Sequence, residues 1–188
     1  MRPLLLISLL LVACTPQATA TPAPLPTAQV NLSESTPIDL ATYRDAEAGL
    51  ELDYPAGWTV AGGETQSRGS YVQIASWDPG PGGISSIPEG GSVLGIAIYL
   101  WDPTGDLDAR VEMRRANFVD SGNQILAEEE LLVNGERTVR FHLLSTDGSE
   151  TIICLLALGD RYLELSGLGD LPTLDAAMRS LRIGAASQ

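Results

Sequence analysis

The sequence predicts an α+β fold: a twisted antiparallel sheet of about six or seven strands with two packed helices. Three observations carry this. Four apolar runs, near 124–133, 136–145, 150–158 and 161–168, are separated by Asn134-Gly135, Asp147-Gly148 and Gly159-Asp160, all residues that accept positive φ in hairpin turns. Two segments, 106–122 and 170–181, place apolar residues at helical spacing behind an aspartate that can cap them. Two further runs, VLGIAIYLW and TIICLLAL, are apolar on both parities, the pattern of strands covered on both faces.

In residues 49–60, GLELDYPAGWTV, Leu50, Leu52 and Tyr54 alternate before Pro55 and Gly57 bend the chain, so two short strands are expected there. Tyr71 to Trp77 and Val93 to Trp101 are the next strands. The first helix starts behind Asp106, buries Leu107, Val111 and Phe118, and stops at Gly122. Asp106, Arg110 and Arg114 recur at intervals of four, which reads as a charged stripe on the solvent side. In the meander, a three-residue loop with Gly135 in a bulge would put Leu131 and Val133 on the face of Val139, Phe141 and Leu143. It would also set Glu128 opposite Arg140 and leave His142 on the polar side. The second helix uses Asp170 as cap and Pro172 in its first turn, and presents Leu174, Ala177, Met178 and Leu181 as one face.

The N-terminal region has another texture. Residues 1–14 carry one positive charge at Arg2, an apolar run from Leu4 to Val12, and Ala13 before Cys14. This is the layout of a secretion signal, and the run is short of the roughly 20 apolar residues that span a bilayer. Residues 15–30 contain four Thr, four Pro and four Ala, too little apolar surface to offset the entropy of ordering, so a flexible tether is expected. The organisation expected is a signal peptide over 1–13, Cys14 and a Pro/Thr/Ala-rich tether over 14–41, the α+β domain over 42–184 and a disordered tail over 185–188. An unmodified thiol, or a disulfide from Cys14 to Cys154, is the alternative; a floppy tether gives such a bridge nothing to stabilise.

Composition narrows function. Of 188 residues, 24 are acidic and 11 basic, for a net charge of −13. Every basic residue is an arginine, which removes lysine Schiff bases, P-loop lysines and Ser-Lys dyads. Such a charge repels phosphate backbones, so nucleic acid is excluded as a partner. His142 is the only histidine; no two-histidine metal site exists, and it reads as a surface imidazole before it reads as a catalytic base. Cys154, within an apolar strand, reads as a buried small hydrophobe. Asp102, Asp106 and Asp108 lack the spacing of a calcium loop and suit a helix cap better. Glu128, Glu129 and Glu130 alternate across a strand, so the three cannot share a face. No cofactor, metal or catalytic set is therefore expected.

Trp-Asp-Pro occurs twice, at Trp77-Asp78-Pro79 and Trp101-Asp102-Pro103. Each Trp closing the core rim while Asp-Pro starts a turn is the plain reading. The sharper one makes Trp77, Asp78, Trp101 and Asp102 a ligand platform around the long Gly/Pro-rich loop 78–92.

Two resemblances complete the reading. Leu11-Val12-Ala13-Cys14 resembles the lipobox of bacterial lipoproteins, which implies acylation of Cys14 and a place at the cell membrane, facing the extracellular or periplasmic side. The order of strands, helix, four-strand meander and terminal helix, with YPAGW at 54–58 and SLRI at 180–183, is similar to the PsbP-like α/β sandwich, named for an extrinsic photosystem II subunit. That resemblance implies an accessory, assembly or binding protein and carries no functional residue across. The expectation is a membrane-anchored, non-enzymatic binding or assembly module for an envelope protein or small ligand. An extracytoplasmic hydrolase or metal-dependent enzyme using Asp102, Asp106 or His142 is the alternative.

Overall fold

A seven-stranded antiparallel sheet, ordered β3-β4-β5-β9-β8-β7-β6, carries covering layers on both faces. This computed structural model describes residues 38–62, 69–80, 84, 86–99, 106–158 and 161–184. The expected signal peptide, Cys14, the tether through position 37, positions 81–83 and 85 of the Gly/Pro-rich loop, Trp101, Asp102, the Gly159-Asp160 turn and the tail 185–188 lie outside them.

The strands are β1 (Leu40–Asp45), β2 (Leu50–Pro55), β3 (Thr59–Gly62), β4 (Gly69–Ala75), β5 (Val93–Tyr99), β6 (Gln124–Val133), β7 (Glu136–Leu144), β8 (Glu150–Leu158), β9 (Arg161–Leu168) and β10 (Arg182–Ile183). The helices are α1 (Leu107–Asp120) and α2 (Leu171–Arg179). The expected α+β sandwich is what forms, with an addition: β1, β2 and β10 make a second, three-stranded sheet. The two strands read from residues 49–60 thus part company, β2 joining the small sheet and β3 the large one. Strand β1 begins at Leu40, inside the stretch assigned to the tether. Its side chains alternate exposed and half-buried, so it has no apolar alternation to show.

One face of the large sheet meets the small sheet and α2. Leu50 and Leu52 of β2, Ile96 of β5, Leu156 of β8, Leu165 of β9 and Leu174 of α2 share this core. Burying each such side chain stabilises by roughly 1.5–3 kcal/mol. The other face meets α1, where Val111 and Phe118 pack on Val139, Phe141, Ile153 and Leu155. Phe118 and Phe141 meet edge to face at 5.3 Å. Strand β8 is buried through Ile152–Leu156, as a strand covered on both sides must be.

Local signals act where expected. Asp106 caps α1, its carboxylate accepting from the Asp108 N–H, and Asp170 caps α2, accepting from Thr173 N–H. Pro55-Ala56-Gly57-Trp58 is a turn, Trp58 N–H donating to Pro55 C=O with Gly57 at φ 93°, and Trp58 then packs on the main core.

The bulged turn at 134–135 does not form. Asn134 and Gly135 have φ of 53° and 84°, and Val133 pairs directly with Glu136, so the loop is the strict two-residue kind. The bulge lies instead between Ile125 and Ala127. Glu129, not Glu128, therefore faces Arg140, and Leu131 and Val133 join the main core, on the side of Thr138. The physical reason is ionic: Glu128 and Glu130 turn toward α1, where Arg115 binds Glu128, and Arg137 bridges Glu130 to Asp108.

The C-terminus is tied back by charge. Arg182 donates two parallel hydrogen bonds to Asp53, both 2.7 Å, and the Thr42 hydroxyl donates a third at 2.7 Å. These hold the Asp53 carboxyl down to about 2, below its ordinary value. A depressed folded-state pKa gives stability that is full above the unfolded value near 4 and is lost as pH falls toward 2. With solvent screening its worth is about 1 kcal/mol. Urea denaturation of Arg182→Ala against wild type should show that difference at pH 6 and little of it at pH 2; equal differences at both would overturn the assignment.

Candidate binding face

Helix α1 has 14 residues and is therefore about 21 Å long, and it lies over the β6–β8 side of the sheet. Strands β4, β5 and β9 present the rest of that face. In β5 the residues pointing there are Val93, Gly95, Ala97 and Tyr99, while Leu94, Ile96 and Ile98 point into the main core. The run VLGIAIY is apolar on both parities, yet apart from Gly95 only its core side is fully buried, and Tyr99 stays 38% exposed. Gly95 and Ala97 count as apolar in a sequence pattern but contribute no bulk.

Their smallness shapes the surface. Register places Tyr71 beside Ala97 and Ala97 beside Glu164, with Gln73, Gly95 and Ser166 in the next row. A Cβ on Gly95 would fall 2.6 Å from Ser166 Oγ, 3.4 Å from Tyr71 Oη and 3.5 Å from Tyr71 Cε2. The Tyr71 ring thus leans across β5 through space that only glycine leaves open, and it remains 48% exposed. Tyr99 and Tyr162 stack beside it, centroids 5.4 Å apart and tilted by 37°.

Charge lies beneath the rings. Glu164 sits on β9, the central strand of the seven, with 12% of its side chain exposed, and it accepts a 2.7 Å hydrogen bond from Arg114. Burial pushes its carboxyl above the ordinary carboxylate range, against the pull of Arg114. Burial and the nearby Glu164 charge raise all three tyrosines, Tyr162 most; at Tyr71 a hydrogen bond with Gln73 opposes the rise. Arg110 places its guanidinium 4.6 Å from the Tyr162 ring centroid and 5.9 Å from that of Tyr99.

The solvent-side stripe expected of Asp106, Arg110 and Arg114 is therefore wrong. Residues 107, 111, 114 and 118 follow one another along a single helix face, so Arg114 belongs to the apolar stripe and its guanidinium lies 4.8 Å from the Phe118 ring centroid. Both arginines reach the sheet, because α1 ends its cover where β9 brings up tyrosine and glutamate.

The residues singled out from sequence that are described do not share one site, and Trp101 and Asp102 of the expected platform lie outside the described residues. Trp77 is half-buried after β4, and Asp78 is exposed with its carboxylate accepting from Gly80 N–H at 2.8 Å, a turn role. Asp106 caps α1 on one side of the large sheet. His142 points to the other side, where it pairs with Glu150 at 2.7 Å. Cys154 is buried against Met178, sulfur to sulfur 3.7 Å, and burial pushes its thiol up to about 12. Among the described residues no group of three His, Cys, Asp or Glu is placed to hold a metal ion, and no helix is long and apolar enough to cross a membrane. Tyr71, Tyr99, Arg110 and Glu164 were missed as a set; a mid-strand glycine and a glutamate inside a buried run were the available signals.

No protein-family model and no curated protein matches the chain. Solved structures do. The solution structure of cyanobacterial PsbP (CyanoP) from Synechocystis sp. PCC 6803 is similar at TM-score 0.57 and 14% identity, over 80% of this chain and 96% of that one. A protein from Bacteroides thetaiotaomicron VPI-5482 reaches TM-score 0.46 at 12% identity, over 78% of this chain and 49% of that one. PA94 from Pseudomonas aeruginosa, described as a putative regulator, reaches 0.46 at 16% identity, over 74% and 91%. The first shows that the fold is PsbP-like.

Two outcomes follow. Gly95→Ala should cost about 1–3 kcal/mol in urea denaturation, and adding Ser166→Ala should recover most of it by removing the Oγ that the new methyl meets; an unaffected single variant would refute the close approach. Cys154 in the folded protein should resist iodoacetamide at pH 8 and react once unfolded; a modified Cys154 peptide from the native chain, read by mass spectrometry, would contradict its burial.

Proposed function

We propose that this chain is a lipid-anchored, extracytoplasmic module that acts by binding, as an accessory or assembly component, with the open face around Tyr71, Tyr99 and Glu164 as its recognition surface. The observation that carries the reading is Glu164. A carboxylate on the central strand of a sheet is costly to desolvate, and here it lies, 12% exposed and paired with Arg114 of α1, where the cover of α1 gives way to the half-exposed rings of Tyr71 and Tyr99. Half-buried aromatic and ionisable groups gathered at one place favour a site over a structural accident.

The lipobox resemblance and the Pro/Thr/Ala-rich segment support the anchor. Two acyl chains on Cys14 hold a protein at a bilayer without help from charge, which suits a chain of net charge −13. Binding is favoured over the hydrolase or metal-enzyme reading because Asp106 and His142 occupy opposite sides of the large sheet. The PsbP-like fold agrees with an accessory role by analogy, and fold analogy is weak warrant for function.

Both halves are testable in cells. Cys14→Ser should move the protein from the membrane fraction to the soluble one, and the wild-type mature N-terminus should carry acyl mass. A photo-crosslinking residue at position 71 should yield adducts, whereas one at Leu132, exposed by 74% at the other edge of the sheet, should not. An unmodified Cys14 thiol removes the anchor; adducts at both positions or at neither remove the face.

A further inference from the structure

Resting on that reading of the face, we infer that its ligand is an uncharged oligosaccharide. Exposed parts of the Tyr71 and Tyr99 rings offer flat apolar patches of the size of a sugar's C–H face. Around them stand groups that exchange hydrogen bonds with hydroxyls: the Tyr71 phenol, the Gln73 amide and the Ser166 hydroxyl, in adjacent rows of β4, β5 and β9. A polyol ring that is apolar on one side and rich in hydroxyls at its rim matches both features at once.

Other ligand chemistries fit less well. Glu164 is already paired with Arg114 at 2.7 Å, so a cation finds its natural partner engaged. An anion meets a protein of net charge −13. A fully apolar ligand would strip water from Gln73, Ser166 and Glu164 without replacing it. An extended peptide gains affinity by adding a strand to a free edge, but β5 and β9 are interior strands with neighbours on both sides, and β4 is paired with β3 over Val72–Ala75. Stacking on tyrosine with hydrogen bonds at the rim needs no such edge.

The probes are cellohexaose, maltohexaose and chitohexaose, each titrated calorimetrically into the full lipidated chain in nanodiscs, which avoids sugar-based detergents. At least one should bind with a dissociation constant below about 1 mM. Tyr71→Ala and Tyr99→Ala should each weaken that binding about tenfold or more, Tyr71→Phe should retain most of it, and a hexaglutamate control should give no heat. Unchanged thermal unfolding of the variants shows that they are folded. No heat from any of the three sugars, binding indifferent to both alanine variants, or equal binding of hexaglutamate overturns the inference. If the sugars are silent while position 71 still crosslinks a protein, the ligand class is wrong and the binding face stands. If position 71 crosslinks nothing and the sugars are silent, the face itself is wrong.

Discussion

The structure depends on one constraint: strand β8 has buried apolar residues on both faces, Ile152, Cys154 and Leu156 on one and Ile153 and Leu155 on the other, so the seven-stranded sheet must be covered twice there. The small sheet and α2 supply one cover through Leu50, Leu52, Leu174 and Met178. Helix α1 supplies the other through Val111 and Phe118. The first cover spans the sheet from β4 to β8, because two kinds of element share the work. The second is a single helix, and a single helix cannot span seven strands spaced about 4.8 Å apart.

From that shortfall the rest follows. Where α1 stops, the strands that continue beneath it cannot remain apolar without leaving a large exposed hydrophobic patch. Tyrosine, glutamine, serine and glycine take those positions instead, with Arg110 and Arg114 reaching from the helix to meet them. The Arg114–Glu164 pair is thus a seam between a dry core and a wet face. A buried pair of this kind gives little net stability compared with apolar packing, so it adds little to what holds the central strand in place.

Ion pairs elsewhere serve closure and register. Arg182 and Asp53 fasten a two-residue strand that backbone pairing alone would hold poorly. Arg140 reaches Asp175 at 2.9 Å and Glu129 at 3.4 Å, linking β7 to α2 and to β6. The alternation of Glu128, Glu129 and Glu130 sends successive carboxylates to opposite sides of β6, each to a different arginine, and this helps set the pairing of β6 with β7. In a chain without lysine, planar guanidinium groups take every such role, and their forked geometry favours fixed partners.

Local sequence set the order of elements from β2 to α2, the helix caps at Asp106 and Asp170, the strand nature of the meander and the burial of Cys154. All of these are set by neighbours a few residues apart: alternation, turn residues and capping oxygens. Only the tertiary structure decided the one-residue register at Asn134-Gly135, since either loop satisfies the local turn chemistry and the choice depends on where Arg115 and Arg137 lie. It also decided that β1, β2 and β10 form a separate sheet, and that Arg110 and Arg114 face tyrosines and Glu164 and not water. The pairing of β10 with β2 and the contact of Arg114 with Glu164 join residues fifty or more positions apart, and no local pattern encodes how far one helix reaches across a sheet.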